Sequence, residues 1–557
     1  MAPKFLPVLA ILALLAACAG LPGDVAPLER EPRPPEALLA DGDAALERNE
    51  LPEAARAYRL AAEASEDEAI AEQATRTAFE HFQMAEAALA AGRWLTLNPT
   101  SEQARRYAGV TALELHRLDV AEEHFAQLLG SGAYISVAAG FLALLPLMTE
   151  HGTAPDVTEL FRRLVARYPD VAEGNYALGS AALRSDNFAL AVASARHATE
   201  LAKYWAPARM LLARALIASG EEQAGLDVAR ELVMAPGADI ATHLEYALML
   251  AAIGRYEEAR AMLTPYATGE TVIPGAVRSL GMLDLEQGEL DAAARRFEDL
   301  LSTGSQSYEA LYFLGSIADQ RGDEERALRH YARVAGGDYA LAAQGRVARI
   351  KAGQAGLEAG LRHLEEYARG HPQLGPEVVA TRAGLATAMG DPARAMAILD
   401  AGLTQYPDSL DLRMARVFAY ERRGDADAAI RDLRQLLSDR PGDATVQNAL
   451  GYTLADHDQG LEEARALIAA ALAQTPDNAA VLDSMGWVLF RQGRLPEALG
   501  YLQRADALGD DAEIDLHLGE VQWALGDRDA ARATWQRALE AYPNDARLRE
   551  RLERAQP

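Results

Sequence analysis

Only one cysteine occurs in the 557 residues, Cys18. No intramolecular disulfide can form, and paired CxxC zinc or redox chemistry is excluded. Lysine is nearly as scarce, with Lys4, Lys203 and Lys351 alone. None follows glycines at the spacing of a phosphate-binding loop. No histidine is followed by glutamate, which removes the HExxH zinc motif, and no GxSxG elbow occurs. The one G-x-G, Gly130-Ser131-Gly132, lacks the third glycine of a dinucleotide loop. Asp456-His457-Asp458 has no second ligand cluster near it in sequence and reads as a polar turn, so no metal is expected. Positive charge is short as well: 54 Lys and Arg stand against 82 Asp and Glu, a net charge of -28. Phosphate backbones are held by basic patches, so nucleic acid is excluded as a partner. The acidic surface repels its own copies and suits a basic partner. With these motifs missing, the sequence predicts no catalysis, no cofactor and no small-molecule substrate.

No apolar run is long enough to cross a membrane, since a spanning helix needs about 20 apolar residues for a core of about 30 Å. The longest candidate inside the chain, Ala133 to Met148, would reach about 24 Å as a helix. It reads as a buried helix. The N-terminal run Phe5 to Ala17, preceded by Lys4, has the length of a secretory signal. Leu15-Ala16-Ala17-Cys18 then resembles the lipobox of bacterial lipoproteins. That resemblance implies cleavage before Cys18 and acylation of it, and two or more acyl chains hold a protein stably on a membrane. In such lipoproteins an Asp after the cysteine marks inner-membrane retention. Here Ala19 follows, so the outer membrane is the implied address, facing the periplasm of a Gram-negative cell. Pro22, Pro27, Pro32 and Pro34 make residues 18–34 an extended tether behind a signal at 1–17.

From residue 35 onward a period of about 34 residues appears. The unit starting at Ala512 carries Gly519, Gly526, Ala531, Trp535, Ala538 and Pro543. The unit at Ala479 repeats it with Gly486, Gly493, Ala498, Leu502 and Ala505. Upstream, Gly315, Gly322, Ala327 and Tyr331 keep the phase, and so do Gly42, Ala54, Tyr58 and Ala61. Small residues at positions 8, 20 and 27, a large one at 24 and proline at 32 match the tetratricopeptide pattern of paired helices. The reading is an all-α, right-handed solenoid of about fifteen repeats over 35–545, most typical over 376–545. A charged capping helix closes it at 546–557. Position 8 lets the two helices approach closely, and the large side chain at 24 is expected to fill the gap to the next unit. One helical hairpin cannot bury enough surface to fold alone, so neighbours share the burial and a rod coupled between nearest neighbours is expected.

In a tetratricopeptide array the first helix of each unit lines the concave face. In the last four units those positions hold Met414, Phe418, Asn448, Tyr452, Asp483, Trp487, Phe490, Arg491, Glu520 and Trp523. Aromatic rings supply large contact area at low entropic cost and dominate binding hot spots, and Asn448 can bond a peptide backbone. Packing against neighbouring helices is the competing role for the same rings.

The run from Asn448 to Ala505, with HLGEVQWALGDRDAARATWQRALE after it, resembles the tetratricopeptide outer-membrane lipoproteins of proteobacteria, in particular the LbcA type. The resemblance is specific over about residues 444–540. It implies an adaptor that holds a periplasmic carboxyl-terminal processing protease at the outer membrane and brings it peptidoglycan hydrolases. Lipoproteins of this architecture also serve as scaffolds in polysaccharide export or envelope assembly, the alternative reading.

Overall fold

The computed structural model describes residues 33–268, 271–509 and 511–555. Leu15, Ala16, Ala17 and Cys18 lie outside them, with nearly all of the proline-rich stretch. Among the described residues the chain forms thirty-one α-helices, α1 to α31 in chain order, and no strand. They run in antiparallel pairs from α1 (Pro35–Glu47) and α2 (Leu51–Glu63) to α29 (Ala512–Ala524) and α30 (Arg528–Ala541), and α31 (Ala546–Arg554) closes the end.

Local chemistry explains the punctuation. Many helices start behind a side chain that accepts a backbone N–H: Ser101, Asp239, Asn478 and Asp511 do so for the third or second residue that follows. Within most pairs the turn takes a positive φ, supplied by a glycine such as Gly220, Gly254 or Gly288. No helix among the described residues is long and apolar enough to span a membrane. The apolar segment forms α7 (Val137–His151), which buries Phe141, Leu144 and Met148 but leaves Leu142 42% exposed. It is half buried, not wholly so, because an outer helix face has no neighbour to cover it.

The packing rule inside each pair is a large side chain seated on a small one. Tyr58, Phe125, Phe161, Phe297, Tyr331 and Trp535 hold the same place in their units and are among the largest fully buried side chains. A Cβ on Gly519 would overlap the indole nitrogen of Trp535, and one on Gly486 would sit 2.5 Å from Cγ of Leu502. The large residue therefore lies on the glycine of its own unit, one helix away, and not first on the next unit. The geometry requires this: position 24 of the second helix faces position 8 of the first. Burying each such ring contributes roughly 2 kcal/mol or more.

The array is not an open rod. Residues between 82 and 188 touch residues between 405 and 478. The Gln83 amide donates to the Gln405 carbonyl oxygen at 2.6 Å, and Phe82 meets Tyr406 edge-on at 6.4 Å. The backbone N–H of Ala85 donates to Asp408 at 3.1 Å, so Asp408 caps α4 (Met84–Leu97) from outside. Asp477 does the same for α10 (Phe188–Leu201), accepting from the N–H of Phe188 at 3.1 Å. The N–H of Asp477 donates to the Asp186 carbonyl oxygen at 2.9 Å, and the Asn478 amide donates to the Asp186 carboxylate at 2.8 Å. Superhelical winding brings one turn of the solenoid edge-on against another, and the polar edges then pair. At this seam the inter-helix turns of the early units carry Asn49, Phe82, His116 and Asp186 at positive φ, where most later units have glycine.

Candidate interaction groove

The ten sequence-selected groove residues fall into three neighbourhoods. Met414, Phe418, Asn448, Tyr452 and Asp483 line one cavity of about 400 Å³. Its opposite wall comes from Pro155, Arg184 and Asp186, on the other superhelical turn. No sequence signal within the C-terminal units points to these three. The available clue lies upstream, where Asp186 replaces a turn glycine.

Side chains in this cavity differ in what they leave free. Met414, on α23 (Leu410–Arg422), is buried in the core. Phe418, one helical turn on, is 52% exposed. Asn448 and Tyr452 stand on α25 (Ala444–Asp456), four residues apart and so on one face. The buried Oδ1 of Asn448 has no hydrogen-bond partner among the described residues. An unmet acceptor of this kind costs about 1–3 kcal/mol until a donor arrives. Tyr452 donates its phenol proton to Glu513 at 2.5 Å. Burial, with the Glu513 charge beside it, pushes that phenol far above the usual tyrosine range.

Asp483, on α27 (Ala479–Arg491), pairs with Nδ1 of His517 on α29 at 2.9 Å, and both are buried. Burial pushes the Asp483 carboxyl up, and His517 opposes the shift. The second neighbourhood is a stack. The Trp487 ring lies on His517 at 4.0 Å and on Phe490 at 5.1 Å. Its indole N–H donates to Asp456 at 3.2 Å. Arg491 donates to the Asp456 carbonyl oxygen at 2.7 Å and pairs with Asp458. The Asp456-His457-Asp458 turn thus spends its carboxylates on Trp487 and Arg491. The third neighbourhood is the chain end. Glu520 pairs with Arg551 of α31, and Trp523 carries the Arg528 guanidinium 4.4 Å above its ring and lies 6.0 Å from Trp535.

Of the ten, Phe418 and Asn448 keep unsatisfied contact capacity, and the others are partnered within the chain or buried in its core. The cavity offers an aromatic face, a backbone-type acceptor and acidic walls. These are groups that hold an extended peptide by stacking and hydrogen bonds.

Family comparisons agree with the helix pairing. A tetratricopeptide repeat family model matches residues 386–451 and 489–552, and a second matches 278–345 and 449–513. A curated relative, a TPR repeat-containing protein of Pseudomonas aeruginosa, is 36% identical over 213 residues. That match covers 38% of this chain and 36% of the relative, so the chain spans about a third of that protein's length. Among solved structures, a thermophilic TPR protein of Thermus thermophilus is 23% identical, with a TM-score of 0.30 over 32% of this chain and 98% of that one. A chain of an APC/C hetero-tetramer is 13% identical, with a TM-score of 0.33 over 94% of this chain and 96% of that one. With its paired helices, large-on-small contacts and matched repeats, the chain is an all-helical tetratricopeptide-repeat solenoid.

Proposed function

We propose that this chain is a periplasmic adaptor, tethered to the outer membrane through lipid on Cys18, that holds a carboxyl-terminal processing protease and its cell-wall hydrolase substrates. Tetratricopeptide arrays are protein-binding scaffolds. The observation that carries the reading is the cavity where exposed Phe418 and the unpartnered Asn448 oxygen meet walls from a second superhelical turn. Such a site suits a chain segment held by stacking and hydrogen bonds. Membrane address and choice of partner rest on the lipobox and on the resemblance of residues 444–540. The repeat fold is typically non-catalytic, so the proteolysis belongs to the partner.

The test is capture of the tagged protein from its own envelope, extracted in mild detergent, with everything bound identified by mass spectrometry. Labelling with a clickable palmitate, in the natural chain and in Cys18→Ala, checks the anchor in the same cells. Recovery of the protease, lost from the membrane fraction in Cys18→Ala, is the expected result. Recovery of polysaccharide-export or envelope-assembly components without any protease overturns the adaptor reading and leaves the scaffold.

A further inference from the structure

The seam between superhelical turns contains one side chain whose hydrogen bonds define its protonation state. His116 sits in the turn between α5 (Glu102–Glu114) and α6 (Leu118–Gly130), at φ 56°. Its Nδ1 lies 2.9 Å from the Asp156 carboxylate, on α8 (Ala154–Arg167). Its Nε2 lies 3.3 Å from the carbonyl oxygen of Pro441, on the other superhelical turn. Both partners are acceptors. A neutral imidazole has one donor and one acceptor nitrogen and satisfies only one of them; the imidazolium satisfies both. The His116 side chain is 6% exposed and that of Asp156 2%, so water does not substitute freely.

The surroundings are charged on every side. Arg440, beside Pro441, donates to the Glu114 carbonyl oxygen across the seam and to Asp443 at 3.3 Å. Asp443 caps α25 through the N–H groups of Thr445 and Val446. The adjoining cavity, of about 610 Å³, adds Glu114, paired with His151 at 3.0 Å, and also Glu377 and Asp411. Two carboxylates, Asp156 and Asp443, thus face one guanidinium, and a proton on His116 balances the cluster. The ligand atoms of His116, Asp156 and Asp443 lie within 4.8 Å of one another, as a cation would need. Arg440 already supplies positive charge there, and the Asp443 carboxylate is engaged by the cap and by Arg440, so a proton completes the set without an ion.

We propose that protonated His116 is a clasp that locks the early superhelical turn onto the late one, and that the clasp releases as pH rises. Burial works against the charge, as does Arg440, but the hydrogen bond to Asp156 and the Asp156 and Asp443 charges outweigh them and hold the His116 pKa above its ordinary value. A raised folded-state pKa places the stabilising proton fully on the ring below the unfolded value of about 6.5. The stabilisation is lost as pH climbs through the folded value. Burial and Asp156 also push the Asp443 carboxyl up, which favours closure on the acid side in the same direction. Because the candidate groove takes Pro155, Arg184 and Asp186 from one turn and Asn448 from the other, the clasp sets its width.

The test uses the full chain, labelled at histidine carbon for NMR, with amide hydrogen exchange followed in parallel from pH 6 to 9 and corrected for intrinsic rate. His116 is assigned by the resonance missing in His116→Gln. Its midpoint is expected above 6.5, and protection at residues 112–118 and 438–446 should fall several-fold through the same midpoint. His116→Gln should have lower protection at pH 6 and no step. Should that variant fail to fold, Asp156→Asn is expected to lower the His116 midpoint and move the step with it. A midpoint at or below 6.5, or flat seam protection across the range in the natural chain, overturns the proposal. So does recovery of high-pH protection by added Zn²⁺ after chelator treatment, which would assign the cluster to a metal.

Discussion

A Cβ at Gly519 has no room, because Trp535 fills the space where it would be. The contact lies between the two helices of one unit, so the cost of a wrong residue is local and steric. Gly519→Ala should destabilise the last repeat by about 1–3 kcal/mol, the usual penalty of overpacking. Hydrogen exchange across α29 and α30 would show it, while residues before Ala444 keep their protection. The same scale separates binding residues from packing ones. Phe418 is exposed and Asn448 lacks a partner for Oδ1. Phe418→Ala with Asn448→Ala should weaken capture of the bound protein at least tenfold, about 1.4 kcal/mol, without lowering the melting temperature. Trp487→Ala instead removes a ring stacked on His517 and Phe490 and should lower stability. If the double variant melted early and the Trp487 variant did not, the roles would be reversed. Spacing alone placed both kinds of residue on the first helix of a unit. It could not separate them, because the partners of Trp487, Asp456 and His517, come from the neighbouring units on either side.

At the scale of the helix, the end of the array shows why a solenoid needs a cap. α31 seats Leu548 against the cluster of Trp535, Ala538 and Leu516. Arg551 pairs with Glu520. The Arg532 guanidinium donates to the Ala555 carbonyl oxygen at 3.2 Å. Truncation after Asp545 uncovers that apolar surface, and losing the buried Leu548 alone costs roughly 1.5–3 kcal/mol. Exchange protection in α29 and α30 is expected to drop and to recover within about one repeat upstream, as coupling between nearest neighbours requires. A uniform loss along the whole array would contradict that. The helical pairing behind this prediction is legible in the sequence through glycine at position 8 and a large residue at 24. The direction in which position 24 points is not, since spacing gives a period and not a vector.

For the whole molecule, the seam changes what kind of object the array is. A period of about 34 residues describes each unit and its neighbours, and no local pattern states how far the superhelix winds before its edges meet. The one written trace is the loss of turn glycine at Asn49, Phe82, His116 and Asp186, and even that is imperfect, since Gln306 and Asp458 also take positive φ in the later part of the chain. A non-glycine residue there costs on the order of 1 kcal/mol or more, so three of these turns keep side chains that the other turn of the superhelix contacts. Asp477 offers a direct measure of the resulting coupling. Its carboxylate caps α10 from an inter-helix connection that lies 289 residues away in sequence. Asp477→Ala removes that acceptor, and loss of a cap costs about 0.5–2 kcal/mol. In an uncoupled rod the damage would stay beside residue 477, near the start of α27 and the end of α28 (Leu495–Asp506), where Arg504 donates to the Pro476 carbonyl oxygen. Across a closed seam it appears at residues 186–191 as exchange faster by about two- to thirtyfold, the same free energy read as an opening equilibrium. Unchanged exchange at those residues would mean that the two turns touch without stabilising each other.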